Sequence, residues 1–157
     1  MPGNDYRFTS RWRLDGKPEE IFDILHNSVD YVRWWPSVWL SAEVIERADG
    51  NGVGRVVRFV SRGRLPYKLR WMARTVKAER PRHIAIRAFG DFDGTGEWTI
   101  TPAGSGQVDI EYVWAIAANK PMLRYLSPIF RPMFEANHRW AMARGEESLR
   151  RELSRRR

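Results

Sequence analysis

Between Val38 and Ala117 the chain alternates apolar and polar residues in short segments, and the breaks between them are rich in turn residues. The clearest segment is the last, where Val108, Ile110, Tyr112, Trp114 and Ile116 share one face and Asp109, Glu111 and Val113 the other. A period of two marks a half-buried strand, so the inner face of this one is aromatic. The preceding segments read as strands over Val38–Arg47, Val53–Arg62, Tyr67–Lys77, His83–Phe89 and Gly96–Thr101. Among the breaks are Asp49-Gly50-Asn51-Gly52, Glu79-Arg80-Pro81, Gly90-Asp91-Phe92-Asp93-Gly94 and Pro102-Ala103-Gly104-Ser105-Gly106. Links this short leave no room for a crossover helix, so the strands pair antiparallel.

Upstream, Tyr6, Phe8, Ser10, Trp12 and Leu14 alternate with Arg7, Thr9, Arg11 and Arg13, the pattern of a further strand with one wet face. Lys17, Pro18, Glu19 and Glu20 then open a helix, with proline in the first turn and carboxylates where the helix dipole favours them. Its apolar face is Ile21, Phe22, Ile24 and Leu25, and it ends before Trp34-Trp35-Pro36. After Lys120-Pro121 the chain turns helical, with Ser127-Pro128 as cap and first position of an element running to about Leu153. Pro132 either kinks its start or begins it. In projection Phe130, Phe134, Asn137, Ala141, Arg144 and Gly145 fall on one side, with Met133 and Trp140 at one edge and His138 at the other. The expectation is an α+β fold, a curved antiparallel sheet of about seven strands wrapped around a long C-terminal helix, with one or two short helices after the first strand. No repeat or linker divides it, so residues 1–157 are expected to form one domain with a solvated basic tail from about Arg150.

At 157 residues such a domain buries roughly two-thirds of its unfolded surface and needs no disulfide or metal to stand. Cysteine is absent, which removes thiolate metal sites and a cysteine nucleophile from consideration. Met1 to Arg13 is polar and has no apolar run, so neither a signal peptide nor a spanning helix is expected, and cytoplasm is the default location. The net charge of +8 reports on solubility and long-range association, and no nucleic-acid motif accompanies it. Eight Trp, seven Phe and five Tyr exceed what closing a core requires, which suggests a small-molecule cavity.

Several stretches carry a resemblance across nearly the whole chain. Leu14-Asp15-Gly16-Lys17-Pro18-Glu19-Glu20-Ile21-Phe22 and Trp34-Trp35-Pro36 resemble the opening of the SRPBCC, or START-like, helix-grip superfamily. That superfamily includes START lipid-transfer domains, plant pathogenesis-related proteins and aromatic polyketide cyclases. Gly90-Asp91-Phe92-Asp93-Gly94-Thr95-Gly96-Glu97-Trp98-Thr99-Ile100, Tyr112-Val113-Trp114, Asn137-His138-Arg139-Trp140-Ala141-Met142 and Gly145-Glu146-Glu147 are similar to its bacterial polyketide cyclase/dehydrase branch. The resemblance implies a pocket between sheet and C-terminal helix that takes lipids, sterols, polyketides or plant hormones, with no metal or organic cofactor in most branches. Fold alone does not assign a reaction.

Tyr112 and Trp114 are the leading pocket candidates, joined by Trp71, by Phe130 and Phe134 on the helix, and by Ala141 on the same stripe. Each has core packing as its alternative. Trp98 follows Gly94 and Gly96, glycines that either bend the sheet or admit a ligand. Asn137 and Arg144 are polar positions on the inward stripe: Asn137 could bond a ligand carbonyl and Arg144 an acidic ligand, unless Arg144 pairs with Glu97 or Glu111 or reaches solvent. His26, His83 and His138 are the three histidines, none in a zinc or triad spacing, and His138 beside the stripe is the best candidate base. Asp91 and Asp93 read as turn formers near the pocket mouth. The function expected is binding of a hydrophobic, aromatic or polycyclic molecule with an oxygenated group, with cofactor-free cyclase/dehydrase chemistry as the reaction implied. The alternatives are a non-catalytic lipid or acyl-chain carrier or sensor, and arginine docking on an anionic membrane or nucleic acid. A homodimer is compatible with the sequence.

Overall fold

The computed structural model describes residues 5–48, 50–65, 67–118 and 127–156. Strand β1 (Asp5–Asp15) leads into helix α1 (Pro18–His26), a 3-10 turn (Ser28–Asp30) and a one-turn helix α2 (Tyr31–Trp34). Strands β2 (Trp39–Glu46), β3 (Val56–Ser61), β4 (Leu69–Glu79), β5 (His83–Gly90), β6 (Phe92–Gly104) and β7 (Gln107–Ala118) follow, and helix α3 (Ser127–Arg155) closes the chain. The strands form one curved antiparallel sheet in the order β1-β7-β6-β5-β4-β3-β2.

Period-two patterning sets the register. β1 and β7 pair without a break from Asp5–Ala117 to Asp15–Gln107, which places Tyr6, Trp12 and Leu14 on the inner face opposite Ile116, Ile110 and Val108. On the wet face the same register sets Arg11 against Glu111 at 3.1 Å and Arg13 against Asp109 at 2.6 Å. Exposed pairs of this kind contribute about 0–1 kcal/mol each, so burial of the inner side chains, at about 1.5–3 kcal/mol apiece, carries the pairing.

Some expected boundaries move. The helix expected to end before Trp34 stops at His26, where Asn27 leaves the helical region at φ −84° and ψ 66°, and α2 adds one further turn. β6 begins at Phe92 rather than Gly96, because Asp91 alone turns the chain. Its N–H donates to Arg70 O at 3.0 Å and its carboxylate accepts from Arg70 N–H at 2.9 Å. Asp93 then lies in the strand opposite Ala117, not in a loop. Pro132 lies inside α3, which starts upstream of it. Lys120-Pro121, expected to open that helical region, falls outside the described residues.

Arg150, Arg151, Arg155 and Arg156 are engaged by glutamates of the same helix. α3 continues to Arg155, and Arg150 and Arg151 pair with Glu146 and Glu147 one turn back. Arg155 and Arg156 close on the buried carboxylate of Glu152, which Arg33 also grips through two hydrogen bonds of 3.1 and 2.7 Å. This ties α3 to the residue before Trp34.

Two apolar clusters make up the interior. One joins α1, α2 and the last turns of α3 through Phe22, Leu25, Trp35, Leu149 and Leu153 to Trp12, Ile100 and Ile110 of the sheet. The other gathers Tyr6, Phe59, Leu69, Trp71, Trp114 and Phe134. Trp39 and Tyr112 pack against both. The packing between them is incomplete, and a cavity lies there.

Candidate functional site

The cavity is bounded by the inner faces of β3, β4, β5, β6 and β7, by α1 and the residues after it, and by the middle of α3. The space open to the centre of a water molecule is about 120 Å³, inside an envelope of about 990 Å³ that includes its opening to solvent. A connected set of rings forms its walls. Trp98 lies 4.2 Å from Tyr112 by ring centroid, Trp71 lies 5.2 Å from Trp114 and 5.0 Å from Phe59, and Trp39 bridges Phe59 at 4.8 Å and Trp35 at 5.7 Å. The alternation of β4 puts Leu69, Trp71, Ala73 and Thr75 inward, and Trp71 Nε1–H donates to Ser61 Oγ at 3.1 Å.

Trp71, Trp98, Tyr112, Trp114, Phe134, Asn137, His138 and Ala141 all line this space. Phe130 lies in α3 with its side chain outside the described residues. Arg144, expected on the inward face, does not line the cavity: it is exposed and pairs with Glu147 at 3.1 Å. Among the described residues of α3 the buried ones are Phe134, Ala141, Met142, Gly145, Leu149, Glu152 and Leu153, with Asn137 and His138 half-buried beside them, and this face leaves residue 144 on the flank. Glu97 and Glu111, the acids considered as its partners, instead engage His83 and Arg11 on the outer face. Gly94 and Gly96 serve the sheet and its rings. A Cβ on Gly94 would stand 2.7 Å from Ile116 Cα, and one on Gly96 2.7 Å from the Tyr112 hydroxyl and 3.0 Å from Trp114.

Asn137 is partly committed. Its Oδ1 accepts the Arg64 N–H at 2.7 Å, and the Arg64 guanidinium sits 4.7 Å over the Trp140 ring, so the β3–β4 loop is fastened to α3 beside the cavity. His138 stacks on Phe8 at 4.2 Å, and its Nε2 lies 3.5 Å from Ser10 Oγ, the outer limit of a hydrogen bond. Burial lowers its pKa to about 4, so the ring is neutral at pH 7 with a nitrogen able to accept a proton. Ser10 pairs across the sheet with Tyr112, whose hydroxyl burial holds protonated far above the ordinary range.

Four further groups lie at the α1 end and were not singled out as pocket residues from sequence: His26, Tyr31, Trp35 and Arg55. Tyr31 donates to the Leu25 carbonyl, and burial raises its pKa. His26 Nε2–H donates to Asn51 O at 2.7 Å. Arg55 is half-buried and donates to the His26 carbonyl. The available signal for His26 was its position four residues after Phe22 on the apolar face of α1, where the two rings meet at 5.3 Å. Among the described residues no three His, Asp or Glu side chains converge as a metal site requires, and no helix is long and apolar enough to cross a membrane.

A family model for polyketide cyclase/dehydrase and lipid transport matches residues 6–154. Among solved structures, the ZhuI aromatase/cyclase from Streptomyces sp. R1128 superposes with a TM-score of 0.78 at 16% identity, covering 97% of this chain and 95% of that one. A START superfamily protein from Mycobacterium smegmatis gives 0.75 at 12% identity over 96% and 99% of the two chains. A point mutant of norcoclaurine synthase from Thalictrum flavum, in complex with a transition-state analogue, gives 0.62 at 12% identity over 94% and 95%. At these identities the likeness is one of fold, the helix-grip arrangement of sheet and long helix. No curated protein matches.

Proposed function

The chain belongs to the polyketide cyclase/dehydrase and lipid transport family, and on that premise we propose that it binds an oxygen-bearing aromatic or polycyclic molecule between sheet and α3. The observation that carries this reading is the wall of rings from Trp98 and Tyr112 through Trp71 and Trp114 to Phe59 and Trp39. Flat rigid walls suit stacked ring systems, whereas an extended acyl chain gains no stacking from them.

The same cavity is equipped for cofactor-free ring closure and dehydration. Such a reaction removes one proton from the attacking carbon, forms a carbon–carbon bond to a carbonyl whose oxygen takes up a proton, and then removes a second proton from that carbon as the hydroxyl leaves as water. His138, neutral because it is buried, is the proposed acceptor of the carbon-bound proton and returns it to the departing hydroxyl. The Tyr112 hydroxyl, protonated for the same reason, is the proposed donor toward the carbonyl under attack, and it regains its proton from the second carbon–hydrogen bond broken in the dehydration. The rings hold the chain of reacting atoms in the closing conformer.

Native mass spectrometry of protein isolated from its own host, joined to titration of tryptophan fluorescence with 2-naphthol and with hexadecanoate, tests the reading. A retained aromatic polyoxygenated molecule and saturable quenching by 2-naphthol are expected. Binding of hexadecanoate without 2-naphthol would establish the lipid carrier instead. With a substrate in hand, His138→Gln should bind it and lose turnover by about 10²-fold or more.

A further inference from the structure

Two buried polar nitrogens at the α1 end of the cavity have no hydrogen-bond partner among the described residues: Arg55 Nε and His26 Nδ1. Trp35 Nε1 and Trp39 Nε1, which also line the space, are likewise buried and unpartnered. Three of these four atoms are N–H donors, and one belongs to a fixed cation. Among the described residues no carboxylate lies within ion-pair distance of Arg55. Leaving such groups unpaired in a largely apolar interior opposes folding, and the fold gains nothing from it unless something else supplies the acceptor.

The known duties of Arg55 do not consume it. One Nη2–H caps the His26 carbonyl at the C-terminal end of α1, a position where a cation also meets the helix dipole favourably. The Nε–H remains, buried and without a partner among the described residues. His26 adds no second charge: burial, with a further push from Arg55, lowers its pKa, while its Nε2–H is engaged by Asn51 O. Among the described residues that line this end of the cavity, the positive charge therefore belongs to Arg55.

We propose that Arg55 forms an oxyanion-binding pole, separate from His138, and that the ligand carries an acidic oxygen seated against its guanidinium, a carboxylate or the enolate of a 1,3-dicarbonyl unit. This rests on the small-molecule reading above and narrows its ligand class from oxygen-bearing to anionic. Trp35 and Trp39 offer neutral donors to further ligand oxygens, and the His26 Nδ1 lone pair can accept from a ligand hydroxyl. The pole orients the molecule end to end, with its acid at α1 and its opposite end toward His138.

The test compares 2-naphthoate with its neutral isostere 2-naphthamide, by tryptophan fluorescence and calorimetry, on wild type, Arg55→Met and Arg55→Lys. A charge-assisted hydrogen bond in this setting should favour the acid over the amide by about tenfold or more in wild type. Arg55→Met should bring that ratio to about one, and Arg55→Lys should fall between. Equal affinity for the two probes in wild type overturns the proposal, as does a ratio that survives in Arg55→Met. Failure of both probes to bind wild type would count against the small-molecule reading itself, a different result. Should Arg55→Met not fold, because the cap on α1 is lost, the wild-type ratio and Arg55→Lys still decide.

Discussion

Gly145 of α3 lies face-on to the indole of Trp35, so close that a Cβ there would stand 2.7 Å from Cε2 and 2.9 Å from Cη2 of that ring. Trp35 is 2% exposed and lines the cavity, so it has nowhere to retreat without moving a wall. Alanine in place of a helical glycine normally stabilises by about 1 kcal/mol. Here overpacking should outweigh that gain, and Gly145→Ala is expected to lose about 1–3 kcal/mol net in thermal or urea unfolding. Its binding of 2-naphthol should weaken as well, since the displaced indole enters the cavity.

Glu152 is the clasp between α3 and α2. Its carboxylate is 3% exposed and is held well below the usual glutamate range, first by hydrogen bonds from Arg33 and then by Arg155 and Arg156, against the opposing effect of burial. A depressed folded-state pKa adds stability that is complete above the unfolded value and is lost as pH falls through the folded one. Glu152→Gln should therefore cost about 1–3 kcal/mol at pH 7, the lower figures reflecting the solvent that reaches the arginines. The gap between wild type and variant should narrow as pH drops below about 4.3, the unfolded glutamate value. A constant gap from pH 7 to pH 3 would contradict this account.

How far the sequence shows this arrangement depends on which periodicity it uses. In β7, Tyr112 and Trp114 stand out because period two leaves a strand only two faces, and Asp109 and Glu111 mark the wet one. α3 is harder. Arginines and glutamates lie on several of its faces, and its buried stripe includes small Gly145 and charged Glu152, so the projection finds Phe134, Ala141 and Gly145 but draws in Arg144 and stops short of Leu149 and Leu153. Arg55 reads locally as a charge beside a glycine-rich turn. It lines the cavity because its backbone N–H binds Gly52 O and its carbonyl accepts from Thr75, contacts that only the folded hairpin brings about.

Asn137 has a second consequence for the cavity. Its side chain holds the Arg64 amide, and a Cβ on Gly63 would stand 3.3 Å from its Cγ, so the β3–β4 loop and α3 meet there without slack. Asn137→Ala should lose about 1 kcal/mol and raise hydrogen exchange at the Arg64 amide. Ligand association should quicken if this loop gates entry. An unchanged exchange rate at Arg64 would show that the Trp140 contact alone holds the loop.

The neutrality of His138 has a measurable cost in acid. Unfolded, its ring takes a proton near the ordinary value of about 6.5. Folded, burial delays uptake until about pH 4. Between these values the unfolded chain binds more protons, so stability rises with pH across the window and falls as pH is lowered through it. The contribution is fully present above about pH 6.5 and gone below the folded value, and it amounts to about 3 kcal/mol at most for a shift of this size. His26, also lowered by burial, acts in the same direction, so the contrast must be taken against a variant. His138→Gln should lose less stability than wild type between pH 7 and pH 4.5, and an NMR titration of wild type should find the His138 ring still neutral at pH 5. A ring that titrates near 6.5 would show that burial does not govern its protonation and would remove this pH dependence of stability.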